Sequence, residues 1–363
     1  MGLKNYLFNK LIFPKVFIID QPGIIINKTV GRFGKEGVKT RVIYNFEYIA
    51  VNLYLETVKK IGKKKTDELW YRIGKESGTR YSLFVGKRKI PNSVLPLIIQ
   101  HVFNTLASVG MTFAKDVKYS NHDNSFFASG ENCIVCNKTQ SGFFMAGLVS
   151  GILSMILDKE IGAKPCCTNC PNGCEIIASP NIKDGCKMNL DELRPSLDYS
   201  KLNFPLVNQK LSDEFKSFSD LLRFKQITVD ERGCMNLKNH ILVPTEIGLT
   251  QLSFRNYSKI GLENFYKKSL IKISENLAQS LFNEFNSPLE KIKFLKIILS
   301  AFGWGLLFYK RDKNKVIFKF QNPPISKFGS LYRTLILNGF INIIFNKKFK
   351  IKKDSEFEMI FEF

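Results

Sequence analysis

Apolar positions along this chain switch between the three- and four-residue spacing of helices and the alternation of strands, and the switches come twice in the same order. In the first half, residues 44–60 (YNFEYIAVNLYLETVKK) predict an amphipathic helix. Thr66, Asp67 and Glu68 form a helix start, and that helix is expected to run to about Phe84. Pro91, Asn92 and Ser93 open a third helix that ends near Gly110. Two short strands follow at about 111–118 and 124–130, with the turn at 122–124. A helix over 138–157 and strand-like segments 160–166 and 174–180 close the half. The second half predicts helices near 246–259, 262–285 and 288–302, strands at 304–310 and 314–320, a helix at 328–345, and strands at 347–353 and 356–363.

The two halves also match residue by residue. ELWYRIGKES aligns with ENFYKKSLIK, pairing Glu68 with Glu263, Trp70 with Phe265 and Tyr71 with Tyr266. LASVGMTFAK aligns with LSAFGWGLLF, and LVSGILSMILDKEI with ILNGFINIIFNKKF. The offsets are 195, 193 and 188 residues, co-linear and drifting only by small loop changes. The fold class expected is therefore α+β, as two tandem domains, each of helices packed on a small antiparallel sheet. Residues 1–180 form the first domain, 181–235 a linker with local structure, and 236–363 the second. Its first strand is placed at 234–243.

Composition excludes several classes. The hydrophobic fraction of 44 % is that of a globular chain, and 32 phenylalanines predict aromatic-rich cores. The formal net charge of +22 is spread over both halves. It would draw nucleic acid, anionic lipid or acidic partners, but no helix-turn-helix, zinc-finger or RNA-binding signature accompanies it. The lysine clusters at 59–65, 87–89 and 347–353 are explained by solvated faces. The start of the chain has neither a cleavable leader pattern nor, with Tyr6 at position six, a myristoylation pattern. The 17 uncharged residues 141–157 touch the lower limit of a membrane span, and a buried core helix is the expectation. Only three histidines occur, His101, His122 and His240, in no catalytic arrangement. There is no dinucleotide fingerprint and no P-loop, which argues against an enzyme.

Six of the eight cysteines, Cys133, Cys136, Cys166, Cys167, Cys170 and Cys174, fall in one segment around the uncharged run. A CxxC before it and a CCxxCxxxC after it offer the thiolates that a tetrahedral metal takes from a loop-and-strand scaffold. Zinc is the first expectation, and four sulfurs would make a closed, structural site. An iron–sulfur cluster, a redox disulfide and plain buried thiols are the alternatives. Clustered free cysteines fit a reducing cytoplasm. Cys186 and Cys234 stand apart and read as structural.

QPGIIIN (21–27), LWYRIGKESGTRY (69–81), AGLVSGILSMIL (146–157) and CCTNCPNGCEI (166–176) together give residues 15–180 a resemblance to the 4-vinyl-reductase-type (4VR) domain, also described as a predicted hydrocarbon-binding domain. The second half resembles that family only through the internal repeat. The resemblance implies small α+β domains similar in fold to subunits of the transport-particle (TRAPP) complexes. Such domains dimerise and serve as sensors of small apolar molecules, including aromatic-compound sensors attached to transcription activators. It also implies a zinc held by a cysteine at the start of the glycine-rich helix, a glutamate on the next strand and two cysteines in the closing loop. Carried over, Cys174 fits the last ligand and Cys166 or Cys170 the third. Pro165, Cys166 or Cys167 stands where the glutamate is expected, and Cys133 or Cys136 replaces the helix-start cysteine.

The function expected is a zinc-containing sensor or binding protein for an apolar or aromatic ligand. Trp70, Phe103, Phe143, Phe144, Met145 and Met155 offer apolar surface around the glycine-rich helix. A redox or reductase-accessory role and a transport-particle-like scaffold are the alternatives. Association is expected as a homodimer, or as an intramolecular pseudo-dimer of the two halves.

Overall fold

The computed structural model describes residues 17–27, 40–85, 94–97, 99, 113–120, 122–131, 136–166, 174–186, 188, 190–193, 214–230, 234–325 and 330–363. Phe103, Cys133, Cys167, Cys170, His101 and most of the helix expected over 91–110 lie outside them.

The first half runs β1 (Phe17–Gln21), β2 (Ile24–Asn27), β3 (Thr40–Phe46), α1 (Glu47–Ile61), α2 (Lys63–Val85), β4 (Phe113–Ser120), β5 (Ser125–Glu131), α3 (Cys136–Thr139), α4 (Phe143–Leu157), β6 (Gly162–Pro165) and β7 (Cys174–Ser179). Helices α5 (Leu190–Leu193) and α6 (Phe218–Arg223) lead to the second half. That half runs β8 (Ile227–Val229), β9 (Met235–Leu237), β10 (His240–Glu246), α7 (Ile247–Lys259), α8 (Glu263–Phe282), α9 (Pro288–Ala301), β11 (Leu306–Asp312), β12 (Lys315–Gln321), α10 (Leu331–Phe345), β13 (Lys350–Asp354) and β14 (Glu358–Glu362). The architecture is α+β, with antiparallel sheets covered by helices.

The plan repeats at the level of sheet order. One outer sheet is ordered β4-β5-β7-β6 and the other β11-β12-β14-β13. The central sheet is ordered β1-β2-β3-β10-β9-β8, a palindrome of the two halves. Its middle pair is β3 against β10, with Tyr44 opposite Pro244, Phe46 opposite Leu242 and Val42 opposite Glu246. The two strands are equally long and numbered 200 apart, so the local twofold axis passes through the Tyr44–Pro244 pair. The same offset equates Thr57 of α1 with Tyr257 of α7, and their hydroxyls meet at 2.6 Å. That contact is a second point on the axis.

Other equivalences follow from contacts. Ser150 and Ser154 of α4 tie down Ile161, by Ser150 Oγ to the Ile161 carbonyl at 2.6 Å and Ile161 N to Ser154 Oγ at 3.0 Å. Asn338 and Asn342 of α10 do the same to Phe349, at 3.0 and 2.8 Å. These pairs share the 188-residue offset of the sequence alignment. In α2 and α8 the offset is 196 rather than 195. Tyr54 meets Trp70 edge-on at 5.5 Å, and its counterpart Phe254 meets Tyr266, not Phe265, at 5.5 Å. Trp70 therefore matches Tyr266, a shift of one residue from the sequence pairing. A one-residue shift turns a helical side chain by about 100°.

Two further differences from the sequence reading matter. Residues 40–46 form a strand, where the helix was expected to begin at 44; Arg41 to Phe46 are all buried, so a two-residue alternation is not visible. Within the segment expected as linker, α6 and β8 are built into the second half, β8 as an edge of the central sheet.

One large core, from Phe17 to Phe361, takes residues from both halves. A smaller one belongs to the first half and lies between α4 and its outer sheet. Between α2 and α4 the packing is backbone to backbone. A Cβ on Gly147 would stand 2.0 Å from the Tyr71 carbonyl, and one on Gly74 2.1 Å from the Phe144 carbonyl. Among the described residues no helix is long and apolar enough to cross a membrane, and the uncharged helix α4 is instead buried along most of its length.

Candidate functional site

Between the two axis points lies a cavity of about 120 Å³. Its floor comes from β3 and β10 (Asn45, Phe46, Val243, Pro244, Thr245). Its first-half wall is Ile49, Ala50 and Leu53 of α1, Trp70, Ile73 and Ser77 of α2, and Phe144 of α4. Thr250 and Ser253 of α7, Tyr266 of α8 and Tyr332 of α10 close the other side. Trp70 is fixed on three sides: edge-on to Tyr54, edge-on to Phe144 at 6.0 Å, and donating Nε1–H to Tyr257 Oη at 3.3 Å.

Of the aromatic and sulfur side chains expected around the glycine-rich helix, Trp70 and Phe144 line this cavity. Met145 is in the first-half core, and Phe143 packs against it. Met155 faces a separate groove with Lys75, Asp158, Glu160 and Cys186. The reason is the glycine contact between α2 and α4, which leaves no room for a ligand along that face.

Two of the lining residues also carry a polar atom buried away from the cavity's open space. Asn45 Oδ1 and Tyr266 Oη are buried and have no hydrogen bond. Ser253 sits beside Tyr266 without reaching hydrogen-bond geometry. Burial drives the Tyr266 hydroxyl well above its ordinary pKa, so it stays protonated. An unpaired buried polar atom costs about 1–3 kcal/mol.

At the cysteine end, Cys166 and Cys174 carry free thiols on the β6–β7 hairpin. Cys166 N donates to the Glu175 carbonyl at 2.8 Å, which sets it beside Cys174 across the hairpin. Cys174 Sγ is 3.0 Å from where a Cβ on Gly142 would stand, so the sulfur rests on the start of α4. Burial, with Cys166 and Glu175 beside it, pushes this thiol up to about 12. Cys136 is buried and disulfide-bonded. Among the described residues no three His, Cys, Asp or Glu side chains converge as a metal site. Of the six cysteines expected as metal ligands, the structure brings Cys166 and Cys174 side by side.

The second half shows what this corner needs. There Ser330 replaces Gly142, Asp354 replaces Pro165, and Ser355 replaces Cys166, its N–H donating to the Glu358 carbonyl at 3.1 Å. Ser330 and Thr334 both donate to Asp354, the latter at 2.6 Å, and Arg333 Nη2 donates to the Glu356 carbonyl at 2.6 Å. Hydrogen bonds hold hairpin to helix where the first half has Gly142 against Pro165 and the Cys174 sulfur.

Sequence reasoning missed a buried ion pair beside the glycine contact. Lys75 Nζ lies 2.8 and 3.0 Å from the Asp184 carboxylate, which also accepts from Tyr71 and Ser150. Nothing in the local sequence around Lys75 marks it as buried.

No protein-family model matches the chain, and no curated protein matches it. Among solved structures, the chain is similar to the crystal structure of the phenol-responsive sensory domain of the transcription activator PoxR with phenol. The identity is 16 %, the TM-score 0.34, and the match covers 51 % of this chain and 94 % of that one. So slight a likeness carries no argument here.

Proposed function

We propose that this protein binds a small apolar molecule in the cavity on its internal twofold axis, as a ligand sensor does. The observation that carries the reading is the cavity itself: lined by both halves, walled by Trp70, Phe144, Leu53 and Ile73, and about 120 Å³ in volume. Apolar cavities of about 150 Å³ stay dry and hold a benzene-sized guest. A single-ring or short aliphatic ligand is the size class. A ligand there touches both halves at once, so its binding free energy reports on how they pack.

Within this reading the first half is a 4VR-type hydrocarbon-binding domain, in keeping with the motifs at 69–81, 146–157 and 166–176. Its cysteine corner holds zinc as a structural tie, doing for hairpin β6–β7 what Asp354 does for β13–β14. The free Cys166 and Cys174, adjacent across the hairpin, support this assignment.

Titration of the full chain with toluene, followed by tryptophan fluorescence, tests the cavity. Saturable binding at one site, abolished by Ala50→Phe, is the expected result, since that ring would fill the space. No saturable signal, or equal binding by the variant, refutes the reading. Elemental analysis of anaerobically purified protein tests the metal: about one zinc per chain, lost in Cys174→Ser, is expected. Iron with absorbance near 400 nm would replace zinc by a cluster.

A further inference from the structure

The meeting of Thr57 and Tyr257 on the local axis belongs to a longer chain of hydrogen bonds, and the chain has a fixed direction. Thr57 Oγ1 donates to the Leu53 carbonyl at 2.6 Å, one turn back in α1. A hydroxyl has a single proton, so Tyr257 Oη is the donor in the 2.6 Å contact between the two hydroxyls. Tyr257 Oη in turn accepts from Trp70 Nε1–H at 3.3 Å. The chain therefore runs from the indole of Trp70, through Tyr257 and Thr57, to the backbone of Leu53. Thr57 and Tyr257 are fully buried.

Both ends of this chain, Trp70 and Leu53, line the cavity from the first half, and the link nearest the indole, Tyr257, comes from the second half. Tyr257 also touches the opposite wall, its ring 5.0 Å from that of Tyr266. The arrangement is not repeated about the axis, because Tyr266, the match of Trp70, has a hydroxyl that makes no hydrogen bond. An indole has one donor and no acceptor, so the bond to Tyr257 uses all of the polar capacity of Trp70. The largest side chain of the first-half wall is thus oriented by a residue of the other half.

We infer that Tyr257 is a positioning residue for the ligand site. It does not line the cavity; it holds Trp70 in the orientation that completes the apolar wall, and so makes ligand affinity depend on how α7 sits against α1. Holding a wall residue in its bound orientation favours binding by lowering the cost of ordering it. By linkage, an occupied cavity that keeps Trp70 in place also favours the Tyr257–Thr57 contact between the halves. The inference rests on the ligand-binding reading of the cavity.

Toluene dissociation constants are measured by calorimetry on the full chain, on Tyr257→Phe, on Thr57→Val and on Thr57→Ser. Tyr257→Phe keeps the ring and loses both hydroxyl bonds, Thr57→Val removes the acceptor of Tyr257, and Thr57→Ser keeps it. Toluene is expected to bind about tenfold more weakly to Tyr257→Phe, more weakly by a smaller factor to Thr57→Val, and with parental affinity to Thr57→Ser. The double variant Tyr257→Phe, Thr57→Val should bind no more weakly than Tyr257→Phe alone, because both changes break one chain. Losses that multiply would overturn the relay. The chain has two tryptophans, so the Trp70 indole N–H resonance is the one that disappears in Trp70→Phe. It should move upfield in Tyr257→Phe and stay in place in Thr57→Ser. A lower melting temperature with parental toluene affinity and an unmoved resonance would give Tyr257 a structural role only, and the inference fails while the cavity reading stands. If the unaltered protein does not bind toluene, both fail. Should Tyr257→Phe not fold, Thr57→Val against Thr57→Ser decides, and equal toluene affinity in that pair overturns the inference.

Discussion

Lys75 shows how one side chain can depend on its surroundings. It is 2 % exposed and touches α4 where Gly151 allows the helices to meet, and its counterpart in the second half is Ile271. A buried ammonium is tolerable only with its charge matched, and Asp184 matches it at 2.8 Å. Lys75→Leu should cost about 3–5 kcal/mol in urea unfolding, because Asp184 is left buried without a cation. Adding Asp184→Leu should recover most of that loss, since an apolar pair replaces the ions. Burial pushes the Asp184 carboxyl up, but hydrogen bonds from Lys75 and Tyr71 outweigh it, and the net shift is below the ordinary 3.8. A carboxylate with a depressed folded pKa contributes stability above its unfolded value and loses it as pH falls through the folded one. The parent should therefore lose more stability than the double variant when urea midpoints are compared at about pH 5 and about pH 3.

At the scale of elements, two devices fix the helices. The first is the glycine contact of α2 with α4. A side chain on Gly151 would drive a Cβ to 2.2 Å from the Lys75 carbonyl, which is backbone and cannot step aside. Gly151→Leu should cost about 3 kcal/mol or more and separate the helices, seen as a lower urea midpoint and altered Trp70 emission. The second is the tie of each closing hairpin to its helix. Asp354→Ala should cost about 1–3 kcal/mol whether or not metal is present, by leaving the Ser330 hydroxyl unpaired and Thr334 with its longer contact to the Ser330 carbonyl. Cys174→Ser should match the parent after chelation and fall below it in metal-replete buffer, by thermal melting. Most elements were legible from period and capping, such as α9, whose Ser287 and Glu290 form a capping box. Strand β3 was not, because a central strand buried on both faces shows no alternation. Nor was the register of α2 against α8, where residue identity favoured Tyr71 with Tyr266 and ring contacts pair Trp70 with it.

For the whole molecule, the shared core decides cooperativity. β3 pairs with β10, and Arg41 donates to the carbonyls of Gly23, Gly303 and Asn322 at 2.9, 3.0 and 3.1 Å, stitching the halves together. Glu76 adds a charged contact across the seam, to Arg255 at 3.1 Å and to Asn256 at 2.6 Å. A fragment of residues 214–363 would expose half of that core and should give no cooperative melt alone. Mixed with residues 1–213 it should recover a single transition with an ellipticity near that of the intact chain. Two independent transitions in the intact chain would contradict a shared core.

The sequence by itself determined the order of helices and strands and the duplication, because period, capping and self-similarity are properties of neighbouring or repeated residues. It also marked the segment whose Cys166 and Cys174 lie side by side on the β6–β7 hairpin. It could not place the cavity. Asn45, Trp70, Tyr266 and Tyr332 are brought together only when two distant segments pair edge to edge about an axis, and no local pattern encodes that meeting. The burial of Lys75 was hidden for the same reason: its environment is made by Asp184 and by a helix more than 60 residues further along the chain.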